Sequence, residues 1–270
     1  MSIISLKLIN HNSEISVMKQ AKGNNIVEWL CVLFLAVPIL GVIFLVILQQ
    51  TCKPADVDTE IANNSQVEKS TPKADNANIQ SLRAKYKNKQ VGEHFQFGSY
   101  PQSSDGAVKK IGWRVLQRDR YSLLVISDKA LDVKPYHARY IDITWKKSSL
   151  RRWLNSEFLR SAFSKDECLL IELSNLSNNR DPSTKDYIFL LSAEEVKSLF
   201  TDNIVRMAKP TDYVLKNGVY NYNDKAVCWW LRSRSKDHKH MWCVDLIGNT
   251  SSYGVNSNKV CVRPALRLAL

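Results

Sequence analysis

The feature that most constrains this chain is a run of twenty residues without a charged side chain, Trp29 to Leu48. A helix rises about 1.5 Å per residue, so such a run covers the roughly 30 Å hydrocarbon core of a bilayer. Pro38 and Gly41 are tolerated in membrane helices, and an indole such as that of Trp29 favours the membrane interface. Because the run has no polar face, it is not typical of a helix on a soluble protein. We therefore predict a transmembrane helix over residues 26–48.

Two other interpretations of this segment stay open. A cleaved signal peptide has a shorter apolar region, of about 7–15 residues, and ends in small residues. A lipoprotein would use Cys52, but the residues ahead of it, Gln49, Gln50 and Thr51, are not the small ones that such a site requires. Translation from Met18 would leave a short basic flank before the helix.

The charges near the helix predict its orientation, because cytoplasmic flanks are enriched in Lys and Arg. Lys19 and Lys22 precede the helix, whereas Lys53 follows it among acidic residues. We expect residues 1–25 in the cytoplasm and the rest of the chain outside a cell membrane that it crosses once. The helix is then the contact with the membrane.

Residues 49–82 are interpreted as a flexible linker and 83–270 as an extracytoplasmic globular domain. The stretch 53–80 has no Trp, Phe, Tyr or Leu, so it buries too little apolar surface to offset its ordering entropy. Residues 81–270 carry a net charge of +13 and residues 1–80 a net charge of −1, which gives +12 for the whole chain. Such a field attracts anionic surfaces, although scattered Lys and Arg are also typical of a solvated surface.

Within the domain the pattern predicts an α+β fold with a mixed, mostly antiparallel sheet and two main helices. The first helix has an apolar stripe at helical spacing, with Arg151, Arg152, Asn155 and Arg160 facing away. The second begins with a capping box, Ser192 at the N-cap and Glu195 at N3. The stripe consists of Leu150, Trp153, Leu154, Phe158 and Ala162. Strand patterns lie at 95–98, 113–117, 121–127, 188–191, 227–231, 241–247 and 259–268.

Six short phrases in this order resemble the bacterial domain of unknown function numbered 6273 over roughly residues 91–270. The phrases are GSYPQ at 98–102, WRVL at 113–116, SSLR with WLN at 148–155, FLLS at 189–192, WWLRS at 229–233 and VRPAL at 262–266. That family is distantly similar to the C-type-lectin-like and formylglycine-generating-enzyme (sulfatase-modifying factor) superfamily. The resemblance implies a C-type-lectin-like fold after the transmembrane helix, and a fold alone does not imply a function. It also implies that the last strand pairs with a strand within residues 95–117. Arg263 on that last strand should then be partly buried and paired with a carboxylate or with backbone carbonyls.

The chain departs from the functional motifs of that superfamily. The Glu-Pro-Asn and Trp-Asn-Asp calcium motifs of sugar-binding lectin domains are absent. The cysteines do not match the paired-cysteine active site of the formylglycine-generating enzyme. By analogy with C-type-lectin-like domains, the resemblance implies disulfides Cys168–Cys261 and Cys228–Cys243. Four cysteines allow three connectivities, and buried free thiols are the alternative.

Few residues point to chemistry. Four residues are candidates for binding a sugar or another ring: Trp230 and Arg232 on a strand, and Tyr136 and His137 in a loop. Core packing is the competing interpretation of the adjacent pair Trp229 and Trp230. His238 and His240 could share a face and hold a metal with Asp237, but such a stretch is more often a solvated hairpin loop. We expect no metal site, no cofactor and no nucleic-acid partner, and we assign no catalytic residue.

Two function classes follow. The first is a membrane-anchored extracytoplasmic binding or interaction module without catalytic activity, whose partner is a cell-envelope polymer or a protein. The alternative is a cell-envelope enzyme of the formylglycine-generating type. They differ in whether Cys, His or acidic side chains converge in a concave pocket.

Overall fold

The computed structural model describes residues 73–179, 181–223 and 225–270. The predicted cytoplasmic segment, the transmembrane helix at 26–48 and the first part of the linker lie outside these residues. Within the described ranges, no helix has the length and apolar character needed to cross a membrane.

The first sheet has five antiparallel strands in the order β1–β2–β3–β14–β8. All six residues of its central strand are buried, as expected for the continuous apolar run at this position. Its strands are β1 (His94–Pro101), β2 (Val108–Arg118), β3 (Ser122–Ser127), β8 (Ile188–Phe189) and β14 (Ala265–Ala269).

The second sheet also has five strands, in the order β12–β11–β10–β13–β5. Its one parallel pairing joins β10 to β13, and the others are antiparallel. Its strands are β5 (Asp132–Val133), β10 (Trp229–Arg234), β11 (His240–Val244), β12 (Thr250–Gly254) and β13 (Cys261–Val262). The α+β class with mostly antiparallel sheets is confirmed.

Two strand pairs complete the described β-structure. The pair β4 (Lys129–Ala130) and β9 (Lys209–Pro210) is parallel. The pair β6 (Ser174–Asn178) and β7 (Asp181–Asp186) is an antiparallel hairpin, and its tip contributes to the site described below.

The helices are short. They are α1 (Lys73–Ala84), α2 (Ser149–Trp153), α3 (Leu159–Ala162), α4 (Lys165–Cys168), α5 (Ala193–Leu199), α6 (Asn203–Arg206) and α7 (Asp212–Lys216), with a 3₁₀ turn at Trp145–Lys147. A π-helical segment, Leu154–Phe158, joins α2 to α3. Helix α2, this π-helical segment and α3 together form the first predicted main helix. Helix α5 is the second, and its predicted capping box is present.

The first main helix differs from its prediction on its polar side. Four members of the apolar stripe are buried, while Trp153 is only partly buried. Arg151 and Asn155, predicted to face solvent, are also buried. Arg151 pairs with Asp186, and Asn155 donates to Ile188 O and accepts from Tyr187 N. Helical periodicity does not reveal such partners, because they come from β7 and the residues after it.

The last strand differs from its expected pairing. It was expected to pair within residues 95–117, but β14 pairs with β3 on one side and with β8 on the other. Arg263, just before β14, is buried and donates to Ser127 O (2.9 Å) and Arg206 O (3.2 Å). Its predicted burial against carbonyl groups is therefore confirmed.

Helix α1 overlaps the predicted linker. Ile79 and Leu82 pack against the core, and Asn78 Nδ2 donates to Asp166 Oδ2 at 2.5 Å. Part of the predicted linker therefore packs against the domain. The composition of residues 53–80 does not indicate helix α1, because only two aliphatic residues near the end of the helix, Ile79 and Leu82, make its apolar contacts.

Candidate functional site

A cavity of about 470 Å³ opens between the tip of the β6–β7 hairpin, the start of α5 and the β10–β11 hairpin. Cavities of this size accommodate small organic ligands. Polar and charged side chains dominate the lining, with one indole among them. The lining residues are Asn178, Asn179, Asp181, Glu194, Ser233, Arg234, Ser235, Lys236, His238 and Trp242.

Arg234, at the end of β10, organises the charged side of this pocket. Its Nη2 donates to Asp181 Oδ1 at 2.8 Å, and its Nη1 donates to Asp142 Oδ1 at 2.9 Å. Asp181 lies at the start of β7, and Asp142 in the loop before the 3₁₀ turn. The guanidinium therefore ties three separate segments together in a fork geometry that Lys could not reproduce.

His238 belongs to the turn between β10 and β11. Arg234 Nη1 lies 2.6 Å from His238 Nδ1, and it donates a hydrogen bond to this nitrogen because a guanidinium has no lone pair to offer. With Nδ1 as the acceptor of this hydrogen bond, the ring N–H of His238 is on Nε2. His240, the first residue of β11, pairs through its Nδ1 with Asp237 Oδ2 of the turn at 2.7 Å, so the two histidines contact different partners.

Glu194, in the first turn of α5, faces the pocket from the other side. Its Oε1 accepts from Asn179 Nδ2 (3.4 Å) and its Oε2 from Ser233 Oγ (3.3 Å). Burial alone would raise the pKa of Glu194, but hydrogen bonds from its own backbone N–H and from Ser192, Ser233 and Asn179 hold the pKa below its ordinary value. The carboxylate stays ionised, and no cation of the described residues forms an ion pair with it.

Trp242 and Lys236 retain open hydrogen-bonding capacity. Four buried indoles, those of Trp113, Trp145, Trp229 and Trp230, donate to carbonyl or carboxylate oxygens. The partly exposed indole of Trp242 has no such acceptor among the described residues. Lys236 is exposed and likewise has no acidic partner there.

The predicted candidates Arg232 and Trp230 lie beneath the pocket, in the core. Arg232 is 3% exposed, and its guanidinium binds both carboxylate oxygens of Glu195, with Nη2 to Oε1 at 2.6 Å. It also donates to Asn178 Oδ1 and Leu190 O. Trp230 is fully buried and donates to Lys134 O at 2.9 Å. Both side chains hold neighbouring elements in place, and neither lines the cavity.

Tyr136 belongs to the same buried group. Its ring packs edge-on against Trp230 at 5.7 Å, and its hydroxyl donates to Arg232 O at 3.2 Å. The structure thus brings three of the predicted ligand-binding residues, Tyr136, Trp230 and Arg232, together. They are buried in the core and do not line the pocket. Trp229 is buried as well, so neither residue of the Trp pair presents a ring to solvent.

His137 lies away from the pocket lining. Its Nδ1 accepts from Ser149 N at 3.3 Å, next to the start of α2. Burial lowers the pKa of His137, and the charges of Arg139 and Arg152 lower it further. The imidazole is neutral at pH 7 and supports the helix start.

All four described cysteines are free thiols, so neither pair implied by the resemblance is joined in the structure. Burial raises the pKa of Cys168 to about 11, and it also raises the pKa values of Cys228, Cys243 and Cys261. These thiols are protonated at neutral pH and are poor nucleophiles. None of them lines the pocket. Within the described ranges, no three His, Cys, Asp or Glu side chains are placed to hold a metal ion.

The comparison with family models gives one match. The model of a domain of unknown function, DUF6273, matches residues 121–270, which include every residue that lines the pocket. The chain belongs to the DUF6273 family. No curated protein and no solved structure matches it.

Most of the pocket lining was not predicted from the sequence. The alternation along β11, with Met241 and Cys243 buried and Trp242 partly exposed, was available as a signal for the indole. The convergence of Arg234 with Asp142 and Asp181 was not, because these residues are separated by 92 and 53 positions.

Proposed function

We propose that this chain is a membrane-anchored extracytoplasmic protein whose folded domain binds a cell-envelope ligand in the polar pocket, without catalysis. The anchor rests on the uncharged run from Trp29 to Leu48 and its basic flank. The binding role rests on the pocket, where Lys236 and the Trp242 indole have no acceptor among the described residues and the Glu194 carboxylate has no cationic partner there.

One observation carries the choice of binding over catalysis. The Arg234 guanidinium forms hydrogen bonds with three other ionisable side chains at the pocket, those of Asp142, Asp181 and His238. A general base needs a free lone pair near the proton that it removes, and His238 Nδ1 already accepts from Arg234. This network supports a rigid binding surface.

The alternative, an envelope enzyme of the formylglycine-generating type, is favoured by one feature, the convergence of a histidine with carboxylates in a concave pocket. Its thiol chemistry finds less support, because the described thiols are buried with raised pKa values. A C-type-lectin-like fold remains part of this proposal. It is supported by the position of the last strand, β14, in the same sheet as β1 and β2.

Co-sedimentation with isolated envelope polymer tests the proposed function. The full-length protein should sediment with the polymer, and Trp242→Ala should reduce the bound fraction at least tenfold, because the aromatic part of the pocket lining is lost. Tyr121→Ala is the matched control, since Tyr121 is 68% exposed and lies in the first sheet region, away from the pocket. Equal binding by the wild-type protein and Trp242→Ala would contradict the assignment of the pocket.

A further inference from the structure

The walls of the pocket offer different chemistry. On the β10–β11 side, three donors are open: the ammonium of Lys236, the Nε2–H of His238 and the indole N–H of Trp242. The Glu194 carboxylate, on α5, lines the same pocket and only accepts hydrogen bonds. A ligand that satisfies both walls carries an anionic group at one end and hydroxyl or N–H donors at the other.

We infer that the ligand is an acidic saccharide, a sugar unit bearing a carboxylate or phosphate group. In this arrangement the anionic group contacts Lys236 and His238, the ring lies against Trp242, and hydroxyl groups donate to Glu194. The inference rests on the proposed function and specifies the ligand of the same site.

Three observations favour an acidic saccharide over other polar ligands. An inorganic anion alone would meet the like charge of the Glu194 carboxylate and would offer it no hydrogen-bond donor. A neutral sugar would leave Lys236 without a counter-charge. The +13 charge of residues 81–270 also attracts polyanions over distances beyond contact.

Binding of matched probes to the full-length protein tests the inference. Oligogalacturonate and its methyl ester differ in the carboxylate charge, while phosphorylated dextran and dextran differ in the phosphate. We expect the acidic member of one pair to bind at least tenfold more tightly than its neutral partner. The pair that shows this difference identifies the carboxylate or phosphate as the source of the charge.

The variant Lys236→Gln distinguishes a contact within the pocket from attraction by the overall positive charge of the domain. Loss of a charge-assisted hydrogen bond should weaken binding of the acidic probe about tenfold or more. Lys109→Gln removes the same charge from β2, in the other sheet, and should change the affinity by less than twofold. Glu194→Gln should retain discrimination between acidic and neutral probes while weakening both.

The outcomes distinguish the inference from the function on which it rests. If neutral probes or amine-bearing peptides bind as well as acidic ones and Trp242→Ala abolishes that binding, the acidic ligand is wrong and the pocket stands. If Lys109→Gln and Lys236→Gln weaken acidic probes equally, the attraction is non-specific and the inference fails. If no probe and no envelope polymer depends on Trp242, the proposed function fails too.

Discussion

Among single residues, the most constrained group is the ion pair between Arg151 and Asp186. Both side chains are fully buried, with Nε and Oδ1 at 2.6 Å. Trp145 Nε1 and Thr184 Oγ1 donate to the other carboxylate oxygen at 2.9 and 2.8 Å. Burial raises the pKa of Asp186, while Arg151, Trp145 and Thr184 act in the opposite direction. Several hydrogen bonds thus compensate the desolvation of the pair and fix β7 against α2.

Removing one partner of this pair should be strongly destabilising. Asp186→Leu leaves a buried guanidinium without its carboxylate and should lower the free energy of unfolding by about 3–5 kcal/mol. The double variant Arg151→Met/Asp186→Leu should cost clearly less than the sum of the single variants. Urea denaturation of the four proteins measures this, and strict additivity would mean that the pair contributes no interaction energy.

The same residues show what the sequence could reveal at this scale. The position of Arg151 on the helix is readable from periodicity, but its burial is not, since Asp186 lies 35 positions away. The burial of Arg263 follows from its place in the final strand pattern, and its acceptors were expected because an unpaired buried guanidinium is costly. The ligand candidates Trp230 and Arg232 were correctly placed on a strand, yet the sequence could not show that other elements cover that strand.

Among elements, the sequence patterns work best where the signal is local. The capping box of α5 and the buried strand β3 occur as predicted, because caps and apolar runs are properties of neighbouring residues. A second capping box, Ser164 with Glu167 at the start of α4, was not recognised, because the helix that follows has only four residues. The pairing of β14 depends on distant strands, and its predicted partner was wrong.

Glu167 links this cap to β1 and should make stability pH-dependent. Its carboxylate accepts from Gly98 N at 3.1 Å and Ser164 N at 2.9 Å. Burial alone would raise its pKa, but these bonds and Lys110 hold the pKa below its ordinary value. A lowered folded-state pKa stabilises the fold above the unfolded-state pKa, and this contribution disappears as the pH falls through the folded-state value.

Glu167→Gln should therefore lower the free energy of unfolding by about 1 kcal/mol at pH 7. The difference from the wild-type protein should shrink as the pH falls below about 4.5, the ordinary value of this group. Denaturation curves at pH 7, 5, 4 and 3 measure this trend. A difference that stays constant across these values would contradict an ionised role for Glu167.

At the scale of the whole molecule, the last strand completes the first sheet. Because β14 lies between β3 and β8, it satisfies hydrogen bonds on both of its edges. Ala265, Leu266 and Leu268 are buried in the core. Deleting residues 260–270 should therefore abolish cooperative thermal unfolding of the domain. A truncated protein that still melts cooperatively near the parent temperature would contradict this topology.

Indole N–H resonances of the ¹⁵N-labelled full-length protein test most directly whether the pocket beside Trp242 binds the ligand. On titration with envelope polymer or oligogalacturonate, the Trp242 resonance should shift saturably, because its indole lines the pocket. The resonances of Trp113 and Trp145 should stay in place, since their N–H groups donate to internal oxygens. A saturable shift of another indole, with Trp242 unchanged, would contradict the account.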